Sequence, residues 1–514
     1  MASQTDSETH FRKKSSKQDN QNAIFPNMFL AGQWVNSTER ITVRNPYNNT
    51  VIGSVPCANR EQIKLALKKA REYTRHPLNE QARAELLDSW ARQISFKIEP
   101  LATLLCRENG KAITQARAEV RRAVETISCY ANAARELNKE AHATLDNVIN
   151  GPSQEVKLNS EGFVTATLHQ PLGVVTAYTP FNFPANTLVH KVAAAIASGN
   201  SIVVKPSEKT PLVALELARL FADTQEAPQG IVSVLTGHHQ DFTELFLTSN
   251  DVDFFSMTGN SDVGRKLYRQ FCDAQSFKRS HFELGGNAPQ IVLDDFHVQK
   301  AVGLLCSAVF DHNGSRCTTP RKILLPAGKY ANDFCKLAVS HAEQWATGDP
   351  LNENTQLGSL IDEAAAKAVE SRVMDAIKKG AKLLKGGQRR GAVMQATVLM
   401  GVTPNMRIFK EENFGPVMCL LSYESLEEAI TIANLGNFGL QPAVMTNDLK
   451  KGWEVASQVR GGCINVGTTT TSHRSDTVPF GGIGSSGIGK EGSLAGIYEL
   501  CHEVPYKFYI DRPS

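Results

Sequence analysis

From residue 171 to residue 286 the chain alternates two kinds of apolar run. One kind is short and nearly unbroken: "GVVTAYT", "SIVVK", "IVSVL" and "VDFFSM". Their length and β-branched content are those of strands buried on both faces. Between them apolar residues recur three and four positions apart, which predicts helices. "PANTLVHKVAAAIASG" starts at Pro184, where a fixed φ suits the first helical turn, and stops at a glycine. "PLVALELARLFAD", "DFTELFLTS" and "SDVGRKLYRQFC" continue the alternation up to "HFELGG". Strands and helices in alternation make βαβ units and a parallel, doubly wound sheet, whose ligands lie beyond the carboxyl ends of the strands. Candidate chemistry is therefore sought in the residues that follow each strand.

Upstream, "NREQIKLALKKAREY" and "AEVRRAVETISCYANAARELNKE" predict helices, the second with Val120, Ala123, Ile127, Tyr130 and Ala134 on one apolar face. Downstream, from about residue 289 to 480, strand-like "APQIVLDD" and "RKILLPA" with helix-like "EAAAKAVESRVMDAIKKGAKLL" predict a second α/β unit. Residues 1 to about 27, polar and of mixed charge, are read as a disordered tail. A chain of 514 residues exceeds one ordinary core, so two or three domains are expected.

Composition narrows the function mainly by exclusion. With 55 basic and 52 acidic residues the net charge is +3, too weak a field to select nucleic acid or a membrane surface, and neither partner is expected. No run reaches the roughly 18 apolar residues of a membrane helix, and the N-terminus lacks the apolar stretch of a secretory leader. The ten cysteines include no CxxC pair, so no metal site and no disulfide framework is expected. Reduced thiols and a cytoplasmic location fit best.

One cysteine stands apart. Cys306 lies in an apolar run, whereas Cys317 lies in polar "FDHNGSRCTTPRK". A thiol among N–H donors with Arg316 adjacent has the setting of a lowered pKa and a nucleophile; a structural thiol is the other reading of that residue alone. Glu283, after a predicted strand and before two glycines, either projects into a cleft or caps and pairs locally. Asn182 in "PFNFP" either donates its amide to an oxyanion or caps the helix at Pro184. The fingerprint GxGxxG is missing after the first strand, which is followed by "TPFNFP". "KPSE" after the second strand offers Lys205 and Glu208 instead; an acid there accepts bonds from ribose hydroxyls and repels a 2′-phosphate, although Lys205 alone also reads as a surface lysine. "MTGNSDVG" after the fourth strand is an ordinary turn, or one in which Gly259 leads into a helix N-terminus that faces an anion.

Taken together, "PFNFP", "KPSEKTP", "MTGNSDVG", "FELGGNAP", "NGSRCT", "EENFGPV" and "PFGGIGSSGIGKEG" resemble, in order and spacing, the aldehyde dehydrogenase superfamily from about residue 28 to the end. The resemblance implies an α/β fold with a Rossmann-like cofactor domain (28–146 and 173–282), an α/β catalytic domain (283–480) and a β-hairpin oligomerisation arm (147–172 and 495–514) that builds a dimer or tetramer. It implies oxidation of a small-molecule aldehyde to the acid with NAD or NADP, and Glu208 favours NAD. In this reading Cys317 forms a thiohemiacetal, Asn182 and the Cys317 backbone N–H hold its oxyanion, and Glu283 activates the water that hydrolyses the thioester. Lys205 and Glu208 are expected at the adenine ribose and Gly259 with Asn260 near the pyrophosphate, and Ser207 and Val263 are expected to bind the cofactor as well. Glu412 is expected at the nicotinamide ribose, and Thr179, Pro180, Phe181, Leu284, Gly285 and Phe414 along the rest of the cofactor.

Four places depart from the commonest pattern. Phe181 stands where tryptophan is frequent, Asn413 where an aliphatic residue is usual and of little expected consequence, and Gly484 where lysine is common. "TGHHQD" replaces glycines with His238 and His239, which either narrow the adenine end or meet a 2′-phosphate.

For the substrate, Arg316 beside the nucleophile, Arg122 on a helix that borders the channel in similar enzymes, and His473 and Arg474 are the expected contacts, with Phe183 and Thr318. Converging arginines select an anionic aldehyde. This resembles the branch containing succinate semialdehyde, lactaldehyde, non-phosphorylating glyceraldehyde-3-phosphate and phosphono- or sulfo-aldehyde dehydrogenases. The competing reading pairs Arg122 with a helix acid and Arg474 with Asp476. An acylating coenzyme A-dependent relative tends to lack the glutamate, and a non-enzymatic protein on this scaffold would have lost part of the machinery; Cys317, Glu283 and Asn182 are all present.

Overall fold

Apolar runs that lie buried on both faces give the molecule its central sheet. The structure, a computed structural model, describes residues 23–25, 27–150, 159, 162–224, 227–273, 277–472 and 476–509. Val174–Tyr178 lies mid-sheet, with parallel Ser201–Lys205 and Val232–Val234 on one side and parallel Phe254–Thr258 and Arg279–Glu283 on the other. Between Val174–Tyr178 and Phe254–Thr258 the chain reverses its direction of growth, and that switch point opens a crevice at the strands' carboxyl ends. Antiparallel strands close both edges: Gly487–Ile488 beside Arg279–Glu283, and Met28–Leu30 with Gln33–Val35 beyond Val232–Val234.

A second sheet of seven strands carries Ala288–Val292 and Pro320–Pro326 near its middle, parallel to each other. The two sheets have separate cores: one cluster runs from Met28 to Phe282 and takes in Ile497, Leu500 and Cys501, while the others lie between Ile291 and Val459. The predicted helix over "EAAAKAVESRVMDAIKKGAKLL" stops early, at Glu363–Lys378. Gly380, at φ 103°, turns the chain, and Lys382–Lys385 joins the sheet edge as a strand.

Phe163–Pro171 pairs antiparallel with Cys501–Tyr509 along its whole length, forming an isolated two-stranded ribbon. Residues 147–150 end the helix Lys139–Asn150, and 151–158, in the same expected arm, lie outside the described residues. Of the expected tail, Ala23–Ile24 pairs with Gly53 and Ser54, and residues 1–22 lie outside the described residues. Among the described residues no helix is long and apolar enough to cross a membrane.

Candidate active site

Asn182 follows the half-buried segment 179–181, and it does not cap the helix that comes next. That helix, Pro184–Ala197, has Phe183 at its N-cap with no side-chain bond. Its first donors, Ala185 N and Asn186 N, are instead taken by Glu119 Oε1 at 2.9 and 3.2 Å, a carboxylate brought in by the helix Ile113–Glu136. Negative charge at a helix N-terminus is favoured by the dipole and by the orphan N–H groups there. Lys111 neutralises Glu119 and donates to Asn182 O at 2.6 Å, so a buried ion pair pins the Asn182 backbone. The Asn182 side chain is thus left to point at the cysteine loop, where Nδ2 donates to Ser315 O at 3.0 Å. An amide nitrogen has two hydrogens, and the second remains for a ligand.

Cys317 lies between the helix Val298–Phe310 and the strand Pro320–Pro326. The turn between them holds two non-glycine residues in the left-handed region, His312 at φ 53° and Asn313 at φ 56°. Such backbone persists only where its surroundings enforce it. Asn313 Nδ2 donates to Ser359 O at 2.8 Å, and buried Arg321 donates to Gly314 O at 2.6 Å and to Gly415 O at 3.0 Å. Gly286 packs on Cys317 itself, since a Cβ there would lie 2.2 Å from Cys317 O. The glycines after Glu283 therefore let the two sheets meet at the thiol.

Glu283 ends its strand almost wholly buried, with Oε1 3.0 Å from His281 Nε2. Glu283, Cys317 and Asn182 line one cavity of about 480 Å³, together with Phe183, Leu284, Arg122, Arg316 and Thr318. Two of the cations in it differ in kind. Arg122 is matched by Asp476, at 2.7 Å, and Asp476 also accepts from Thr126 Oγ1 at 2.6 Å. The competing reading was half right: Arg122 is charge-paired, but with the acid expected for Arg474. Arg316 stacks over Phe183 with its guanidinium carbon 5.8 Å from the ring centre, while its Nε is shut off from solvent without a partner among the described residues. Burial lowers the Arg316 pKa, and the nearby Asp311 and Cys317 oppose that effect. Beside it His312 is buried with Nδ1 lacking a partner among the described residues, and burial followed by repulsion from Arg316 and Lys111 holds the ring neutral. His473 and Arg474 lie outside the described residues.

Apart from Leu284, the expected cofactor residues do not line this cavity: those from Thr179 to Gly285 follow the carboxyl ends of the first sheet's strands, while Glu412 and Phe414 lie in the loop before the second sheet's strand Val417–Tyr423. Thr179 N donates to Lys205 O at 3.3 Å, and Gly259 N to Glu283 O at 2.9 Å. Asn260 caps the helix Ser261–Cys272, accepting from Asp262 N at 2.9 Å and Val263 N at 3.3 Å. Ser207 Oγ accepts from Lys209 N, and Pro180 follows Thr179 at the strand end. Gly285 N is bonded by Ser261 Oγ, Gly286 N by Glu412 Oε1 at 2.9 Å, and Phe181 meets Phe414 edge-on with ring centres 6.1 Å apart. Burial pushes the Glu412 carboxyl up to about 7. Glu208 goes the other way: burial is outweighed by Lys205, 3.3 Å away, and by His238 Nδ1 at 2.9 Å and His239 N at 3.0 Å, which bring it down to about 2. Thr258 Oγ1, which lines the cavity at the end of its strand, is buried without a partner among the described residues. A crevice at the switch point, with an orphan hydroxyl and two carboxylates at its ends, fits a dinucleotide lying across the strand ends.

The profile of the aldehyde dehydrogenase family matches residues 34–503. This chain belongs to the aldehyde dehydrogenase family. A 3-sulfolactaldehyde dehydrogenase of Priestia aryabhattai is 32% identical over 476 residues, covering 93% of this chain and 96% of the relative. An NAD-dependent aldehyde dehydrogenase from Sinorhizobium meliloti superposes with a TM-score of 0.87 at 29% identity, covering 96% of each chain. An NADP-dependent glyceraldehyde-3-phosphate dehydrogenase from Bacillus halodurans C-125, complexed with NADP, gives 0.86 at 28%, covering 95% of this chain and 100% of that one. The protein is an aldehyde dehydrogenase that uses a nicotinamide dinucleotide.

Four residues of this aldehyde dehydrogenase's site were not singled out from the sequence: Lys111, Glu119, His281 and His312. His281 had a legible signal, since alternate residues of a strand share a face and 281 precedes 283 by two. Asn413, expected to matter little, is fully buried with neither amide atom partnered among the described residues.

Proposed function

We propose that the enzyme oxidises a small anionic aldehyde through a covalent intermediate on Cys317, with Glu283 as the hydrolytic base. The Cys317 thiolate attacks the aldehyde carbon, and the oxyanion is held by the second Asn182 amide hydrogen and the Cys317 backbone N–H. Nicotinamide dinucleotide, when bound, supplies the hydride acceptor. The Glu283 carboxylate then takes a proton from water as its oxygen bonds to the thioester carbon, and the thiolate leaves as the acid is released. Lys205 and Glu208 would hold the adenine ribose, Gly259 and the helix capped by Asn260 the pyrophosphate, Glu412 the nicotinamide ribose and Phe414 the nicotinamide.

The observation that carries the substrate class is the orphan Nε of Arg316, with the His312 ring beside it, in the cavity that holds Cys317. A buried guanidinium N–H without an acceptor costs free energy that an anionic ligand restores. Relatives named for 3-sulfolactaldehyde and glyceraldehyde-3-phosphate act on aldehydes that carry an acidic group. NAD is the preferred cofactor because Glu208 stays charged near the ribose, and Lys205 and His238, which offset that charge, make the preference shallow. The ribbon of Phe163–Pro171 and Cys501–Tyr509 leaves Tyr509 exposed. A two-stranded ribbon is marginal alone, and a second copy covering it gives a dimer or tetramer.

The test is reduction of NAD and NADP against short neutral, carboxylated, phosphorylated and sulfonated aldehydes, with wild type and Cys317→Ala side by side. Anionic aldehydes should turn over best, and the variant should be inactive; activity surviving in Cys317→Ala overturns the mechanism.

A further inference from the structure

We propose that His281 is a positioning residue for Glu283, aiming its carboxylate and holding it in the proton-accepting form. This rests on the reading of Glu283 as the hydrolytic base. Both side chains are buried on one face of the strand Arg279–Glu283, His281 at 3% exposure and Glu283 at 3%. A carboxylate only accepts hydrogen bonds, so the 3.0 Å contact from His281 Nε2 to Glu283 Oε1 is an N–H donated to it. That bond engages one carboxylate oxygen and fixes the direction of the group.

The imidazole is itself fixed from every side. Nδ1 lies 3.5 Å from Ser256 Oγ and 3.7 Å from Glu491 Oε1. Lys191, from the helix Pro184–Ala197, donates to Ser256 Oγ at 2.7 Å and to Glu491 Oε1 at 2.9 Å. Lys490 and Glu499 line the small cavity that adjoins the ring. The C-terminal segment closes over the pair: a Cβ at Gly489 would lie 2.5 Å from His281 Cδ2, and one at Gly481 would lie 3.0 Å from Glu283 Oε1. The ring thus sits between two carboxylates, Glu283 and Glu491, with Lys191 behind the second, and its Nε2–H is the donor that Glu283 receives. A buried carboxylate without that donor would be harder to ionise, and water activation would fail at higher pH.

The experiment compares wild type, Glu283→Gln, His281→Leu and His281→Gln, the last keeping an N–H donor near the position of Nε2. Each is mixed with propionaldehyde and NAD; first-turnover NADH formation is followed by absorbance, and decay of the Cys317 thioester by acid quench from pH 6 to 9. His281→Leu should form NADH within about twofold of wild type, lose about tenfold or more in thioester decay, and move the acid limb of that decay to higher pH. His281→Gln should recover most of the loss. Thioester decay in His281→Leu at the wild-type rate and pH dependence overturns the inference, as does an equal loss of both steps with no recovery in His281→Gln. If Glu283→Gln itself deacylates normally, the reading of Glu283 as the base fails first; if only that variant stalls, the role of His281 alone fails.

Discussion

Replacing Arg316 with methionine removes a cavity cation whose buried Nε lacks an acceptor among the described residues, while keeping a long apolar stem against Phe183. A hydrogen bond to a charged group is worth about 1.5–3 kcal/mol. At about 1.4 kcal/mol per factor of ten, kcat/KM for a carboxylated, phosphorylated or sulfonated aldehyde should fall by about 10- to 150-fold. Arg316 also offsets the charge of Asp311, whose pKa burial raises, so part of any loss will reflect the loop that carries Cys317. Neutral aldehydes of the same length report that part, and for them the fall should stay within about threefold, the loss expected when an interaction that contacts only the anionic group is removed. The assay is therefore steady-state kinetics on matched anionic and neutral substrates, with the ratio of the two kcat/KM values as the readout. Equal losses on both would refute the idea that Arg316 reads the substrate's charge.

The carboxyl of Glu412, pushed up to about 7 by burial, is protonated in the folded chain as pH falls below that value. Its charged form costs stability above pH 7, and the cost fades as pH drops toward 4.5, where the unfolded chain also takes the proton. The KM for the dinucleotide should accordingly rise as pH falls from 8 to 6, and Glu412→Gln should flatten that dependence. Because Glu208 sits at about 2, its charge persists across the assay range; Glu208→Gln should raise the NADP-to-NAD ratio of kcat/KM about tenfold, the effect of removing a charge that repels a 2′-phosphate. Asn413→Leu keeps the branched outline, with somewhat bulkier ends, and removes two buried atoms without partners among the described residues; it should stabilise the protein by about 1 kcal/mol, read as a higher midpoint of thermal unfolding.

The strands and helices of the first sheet were legible because each run is long enough to show its period, and buried parallel strands read as unbroken apolar stretches. The polar setting of Cys317 marked it out but left a structural thiol and a nucleophile both open, and only the ordered motifs around it favoured the second. What the chain order hides is pairing across distance. Asn182 looked equally like a cap and an oxyanion donor, and the cap reading is removed by Glu119, more than sixty positions earlier, which takes the helix's first donors and leaves the amide turned toward Ser315. Arg122 looked like a substrate contact until Asp476, 354 positions later, took its charge. The end of the helix at Lys378 was missed because the pattern of apolar residues runs on through Gly380 into a strand. His281 was within reach, two positions from Glu283 on a strand, but an isolated histidine carries no signal until its ring is seen against a carboxylate.

The central claim is that Cys317 carries the acyl group and Glu283 releases it. Intact-protein and peptide mass spectrometry on Glu283→Gln, mixed with aldehyde and NAD and quenched in acid, tests it most directly. The account predicts an acyl adduct on the peptide containing Cys317, formed with one equivalent of NADH and absent from the Cys317→Ala variant. Sustained turnover by Glu283→Gln with no adduct at Cys317 would contradict it.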